Sequence, residues 1–175
     1  MDQHNSHTLI DINYHLYRNN NDKNLKKFKE LAEELGFILS TTYALVMPFE
    51  RVINKLEGKP DQQTSQLEEN LLVGIEEGIE ISSLNIEEKS SCPFRENQVN
   101  INADLSVPVC CIVFNKSQNI VSNNFLDSSL SEISNNKKDI STCKKCMNLR
   151  LPEYNMGYNK HLWKERAQSK KSLDI

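Results

Sequence analysis

Cys143-Lys144-Lys145-Cys146 sets two thiols three residues apart, a spacing that lets both bind one metal centre from a single turn. The other three cysteines, Cys92, Cys110 and Cys111, precede this pair in the same half of the chain. Such a group of thiolates holds either a structural zinc or an iron–sulfur cluster. Cys110 and Cys111 are adjacent at the end of a strand-like stretch. Their side chains therefore leave on opposite faces, and only one of them easily joins the others. Five cysteines reduce to four ligands and one spare. A thioredoxin-like redox pair would need a β-α-β pattern around the C-x-x-C, and the pattern is absent there.

The charges near the cysteines suit a negative centre. Lys144 and Lys145 lie between two ligands, with Arg95 and Arg150 close in sequence. The alternative is that these bases form an ordinary solvated face. In the first half, Asp11, His15 and Arg18 could be drawn as an acid–base set, but no nucleophile accompanies them.

The chain has 175 residues, with 24 acidic and 21 basic side chains and a net charge of −3, so its charge gives no reason to expect nucleic acid as the main partner. No apolar run is long enough to cross a bilayer. Met1 to His7 is polar and lacks the basic and apolar regions of a signal peptide. These features imply a cytoplasmic protein, where cysteines stay reduced and an odd cysteine count points to metal rather than disulfides.

The elements that must carry these residues differ between the two halves. Ile10, Ile12, Tyr14 and Leu16 alternate with polar residues, which predicts a strand with two unlike faces. Asp22 is placed to cap a helix whose apolar positions are Leu25, Phe28, Leu31, Ala32 and Leu35, ending at Gly36. Residues 37–46 read as a second strand. Pro48 suits the first turn of a second helix, with Phe49, Val52, Ile53 and Leu56 on its apolar face and Gly58 closing it. A β-α-β unit of this length implies parallel strands. Two such strands do not make a stable parallel sheet alone, so the section reads as a piece of a larger α/β sheet or barrel. The face bearing Asp11, Asn13 and His15 would look into a barrel lumen, or else into solvent. Residues 61–81 read as one amphipathic helix weakened by Gly74 and Gly78, and 82–91 as a linker.

In the second half, 98–102 and 107–112 read as two strands joined by the turn Ala103-Asp104-Leu105-Ser106. Residues 115–142 predict one short helix around Phe125, Leu126, Leu130 and Ile133. Met156, Leu162 and Trp163 predict a last helix, with a frayed tail from Gln168.

Cys92-Pro93-Phe94-Arg95, Val99 to Asp104 and Val107-Pro108-Val109-Cys110-Cys111, followed by the C-x-x-C, resemble the auxiliary-cluster domain of radical S-adenosylmethionine enzymes. That domain is called SPASM, or twitch in its short form. The resemblance covers roughly residues 92–150. It assigns Cys92, Cys110, Cys143 and Cys146 as ligands of one [4Fe–4S] cluster and leaves Cys111 spare. Leu105 replaces the usual turn glycine, so the turn must differ or strain. Cysteines for a second cluster are missing.

Residues 9–58 resemble the last strand–helix repeats of the partial barrel that precedes this domain, through Tyr14-His15-Leu16-Tyr17-Arg18-Asn19, residues 31–36 and residues 44–48. The implied fold is α/β (α+β overall): barrel fragment 1–81, linker 82–91, iron–sulfur domain 92–167 and tail 168–175. The C-x-x-x-C-x-x-C motif that cleaves S-adenosylmethionine is absent from the chain. The resemblance therefore implies a cluster-binding protein that is inactive alone. S-adenosylmethionine would enter only with a separate chain supplying the N-terminal half-barrel. A four-cysteine zinc interaction module is the other reading.

Overall fold

The computed structural model describes residues 9–20, 22–86 and 91–173. The N-terminal segment, residues 87–90 of the expected linker, and the Asp22 side chain with its expected cap lie outside the described residues.

The chain is a mixed α/β protein with more helix than strand. Strand β1 (Asp11–Leu16), helix α1 (Asp22–Leu35) and strand β2 (Ile38–Tyr43) form the β-α-β unit that the alternation implies. The strands pair in parallel, Asp11 opposite Ile38 and Leu16 opposite Tyr43, in a two-stranded sheet. Gly36 turns the chain out of α1 at φ +68°, a conformation open to glycine at no steric cost. On one sheet face Tyr14 meets Phe28 of α1, with ring centroids 5.2 Å apart. The other face is exposed and polar: Ser40 donates to Asp11 (3.2 Å) and Thr42 to Asn13 (2.9 Å).

Helix α2 (Phe49–Leu56) has Pro48 as its N-cap rather than inside its first turn. The single helix expected over 61–81 is two helices, α3 (Gln62–Glu69) and α4 (Ile75–Ser83). Asp61 caps α3 by accepting from the Thr64 amide, and Glu68 accepts from the Ile75 amide at the start of α4. The break between them buries Leu71, Leu72 and Val73 together, which one straight helix would have spread around its circumference. Residues 82–86 are tied to the last helices. Ser82 accepts from the Trp163 indole (3.0 Å), and the Asn159 amide donates to the Ile81 carbonyl (2.8 Å).

In the second half the expected hairpin takes a different form. Residues 98–102 are not a strand. Strand β3 (Val107–Pro108) instead pairs antiparallel with β4 (Ile120–Ser122), across a bulge. Pro108 offers no amide to a ladder, which helps keep β3 short. The expected turn does form: Leu105 donates to the Asn102 carbonyl, and it stands at φ +65° where the resemblance would have glycine. The remaining helices are α5 (Pro93–Glu96), α6 (Lys116–Asn119), α7 (Leu130–Asp139), α8 (Ser141–Asn148), α9 (Leu151–Met156) and α10 (Lys160–Leu173). Phe125 and Leu126 lie in a 3-10 turn outside α7. Residues 168–173 of the tail expected to fray continue α10 instead, and Lys170 pairs with Glu77 at 2.7 Å.

One apolar core runs through both halves, from Val46, Phe49 and Val52 through Ile75, Val107 and Ile133 to Leu151, Tyr154 and Trp163. Among the described residues, no helix is long and apolar enough to cross a membrane.

Candidate metal centre

Cys92 is the N-cap residue of α5, and its carbonyl accepts from the Arg95 and Glu96 amides, both at 3.0 Å. This short turn sets Phe94 and Arg95 on the same cavity as the Cys92 thiol. Cys110 lies just past β3, in a loop held at both ends. Val109 donates to the Asn119 carbonyl (2.8 Å), and Phe49, the first residue of α2, donates to the Ile112 carbonyl (2.9 Å). Glu50 continues the clamp by accepting from the Phe114 and Asn115 amides, both at 2.8 Å. Cys143 and Cys146 share one face of α8, a turn apart.

These three segments bring Cys92, Cys110, Cys143 and Cys146 to one small cavity of about 20 Å³. Val109, Ile112, Val113 and Met147 give it an apolar lining, and Arg95 contributes a cation. Cys111 is exposed on the outside, where its thiol faces the Gln98 side chain. The strand expected to separate Cys110 from Cys111 ends earlier, at Pro108. A turn separates them instead.

Burial raises the pKa of three of these thiols, Cys110, Cys143 and Cys146. Cys110 is pushed up to about 11, mainly by desolvation and further by the neighbouring cysteines. Desolvation also raises Cys143, against the pull of Arg95, and raises Cys146 further, with added repulsion from Cys92, Cys110 and Cys143. These three thiols thus feel the charge of their neighbours. A metal must displace their protons to bind.

The expected counter-charges are mostly elsewhere. Lys144 pairs with Asp139 at 3.5 Å and Lys145 with Glu57 at 2.6 Å, so both reach partners away from the cavity. Arg150 donates to the Ile86 carbonyl and pairs with Glu153. Only Arg95 of the four lines the cavity. The cation that sequence reasoning missed is Lys137, which is 1 % exposed. Its ammonium donates to the carbonyls of Phe94, Arg95 and Gln98, and it lies within electrostatic reach of Cys92, Cys110 and Cys143. Its position four residues after buried Ile133 puts both on one face of α7, the signal that could have revealed it.

The donor set fits a four-thiolate centre, with apolar walls and a cation beside it. Its size is tighter. A cavity of about 20 Å³ matches one water or a single ion. Among the described residues, no three His, Cys, Asp or Glu side chains are gathered closely enough to hold a metal as they stand. Binding therefore requires the thiols to shift.

The other drawn set does not assemble. Asp11 and His15 lie on the exposed sheet face, whereas the Arg18 side chain donates to the Leu71 carbonyl. No family model, curated protein or solved structure matches the chain.

Proposed function

We propose that this chain is an iron–sulfur protein that holds one [4Fe–4S] cluster through Cys92, Cys110, Cys143 and Cys146. The observation that carries the reading is the convergence of these four thiols, from three separate segments, on one cavity while Cys111 stays outside. A bound cluster of this kind supplies one-electron transfer. The chain's own residues bind and enclose it. The four thiols are the ligands, Val109, Ile112, Val113 and Met147 exclude water, and Arg95 and Lys137 offset negative charge. The Phe94–Gln98 arm, tied down by Lys137, is the wall that would draw back to admit the cluster.

The reading includes the likeness to the end of a radical S-adenosylmethionine enzyme. On that reading the β-α-β unit is barrel edge, a separate half-barrel chain completes it, and neither chain acts alone. The two-strand parallel sheet and the exposed apolar residues of α1 support it.

A four-cysteine zinc module is the second reading, and the small cavity favours it, since a single ion needs less room than four irons and four sulfides. Metal and sulfide analysis of anaerobically purified protein separates the two. Iron with acid-labile sulfide supports the cluster; stoichiometric zinc without either overturns it.

A further inference from the structure

We propose that a second cavity, at the carboxyl ends of β1 and β2, binds a small aromatic carboxylate. The cavity is about 240 Å³ and lies between these strand ends and helices α9 and α10. In open α/β sheets, ligands bind outside the carboxyl ends of parallel strands. Leu16 and Leu45 form an apolar wall. Half-buried Tyr43 forms an aromatic one, backed by buried Trp163, the two rings stacked with centroids 5.4 Å apart and planes at 29°. This volume is slightly below the usual range for drug-sized ligands, which suits a single ring.

Two features at the mouth select an anion. Lys160 and Lys164 both line it and are both exposed. They stand one turn apart on α10, where like charges repel, and neither has a carboxylate partner among the described residues. Lys160 also opens a 14-residue helix whose first turn carries no acidic residue, and Lys164 follows in the second turn. The positive end of the helix dipole is thus reinforced by Lys160, with Lys164 one turn away, and a carboxylate at the mouth would offset this charge. Thiol chemistry plays no part in this site: α9 separates the cavities, with Pro152 lining the cysteine cavity and Tyr154 this one.

Trp163 is the single tryptophan of the chain and stacks on the Tyr43 ring of the cavity wall, so it reports on that wall. Phenylacetate should change its fluorescence saturably. Phenylacetamide, which lacks the charge, and cyclohexylacetate, which lacks the aromatic ring, should each bind at least about tenfold more weakly. The Lys160→Ala/Lys164→Ala variant should weaken phenylacetate by about the same factor, and both lysines are exposed, so it should fold normally. Equilibrium dialysis with labelled phenylacetate provides a readout independent of fluorescence. No saturable binding by either method, equal binding of either analogue, or undiminished binding to the double variant would overturn the proposal.

Discussion

The Lys137 ammonium lies 3.2 Å from the Arg95 carbonyl oxygen, a contact that spans 42 positions of sequence and ties α7 to the arm carrying Cys92. Two further carbonyls, of Phe94 and Gln98, share the same donor. Lys137→Met would leave all three without it. Urea unfolding of the metal-free chain should show a loss of about 2–3 kcal/mol, the range for stranding buried hydrogen-bonding groups. A loss below about 0.5 kcal/mol, typical of surface substitutions, would show that the arm does not depend on Lys137.

The buried thiols make a pH prediction. Cys110 at about 11 lies above the ordinary thiol value, and Cys143 and Cys146 are also raised. The folded chain therefore keeps protons that the unfolded chain releases. This contribution is intact below about pH 8.5 and declines as pH rises toward 11 and beyond. Burial raises Tyr154 and acts in the same direction, while burial lowers Lys137 and acts in the opposite one. Comparison with Cys146→Ala isolates one thiol: the metal-free variant should lose less stability between about pH 8 and pH 10 than the parent chain. Parallel pH profiles would contradict the burial of Cys146.

Gly78 sits where a Cβ would lie 2.6 Å from Tyr154 Cε2 and 2.7 Å from Trp163 Cη2. Alanine improves helix preference by about 1 kcal/mol, but overpacking two fully buried rings costs about 1–3 kcal/mol. Gly78→Ala should therefore lower thermal stability and alter Trp163 fluorescence. A stabilised variant would show that α4 packs less closely on α9 and α10 than these distances imply.

Helix α1 leaves Phe28, Leu31 and Leu35 exposed, at 44, 47 and 51 %. Ile10, just before β1, is also exposed, and Ile38 is exposed on the opposite sheet face, which it shares with Asp11. Alone, the chain should self-associate through this surface, because an open apolar sheet edge with an uncovered helix seeks partners. Leu31→Lys/Leu35→Lys should shift sedimentation toward monomer with little loss of stability. A parent chain that is monomeric at all concentrations would argue against the incomplete-barrel reading.

Much of this architecture was legible in residue patterns. Period-two alternation marked β1, helical spacing marked α1, and their length implied the parallel pairing with β2. C-x-x-C spacing placed Cys143 and Cys146 on one face. Opposite strand faces were expected to part Cys110 from Cys111, but the strand stops at Pro108 and a turn parts them. Tertiary contacts set the rest. The partner of β3 is the three-residue β4, hidden in an Asn- and Ser-rich stretch that has almost no strand pattern. The 61–81 helix broke because three consecutive apolar residues were worth more buried together. Lys137, within Asn135-Asn136-Lys137-Lys138, looked like a solvated base. Only the α7 phase set by the Ser129–Glu132 capping box turns it inward beside Ile133.

The most direct test of the cluster reading compares Cys110→Ser with Cys111→Ser after anaerobic reconstitution, by measuring iron and acid-labile sulfide per chain. The expected result is about four of each for the parent and for Cys111→Ser, and a large loss for Cys110→Ser. A parent chain that takes up neither, or a loss confined to Cys111→Ser, would contradict it.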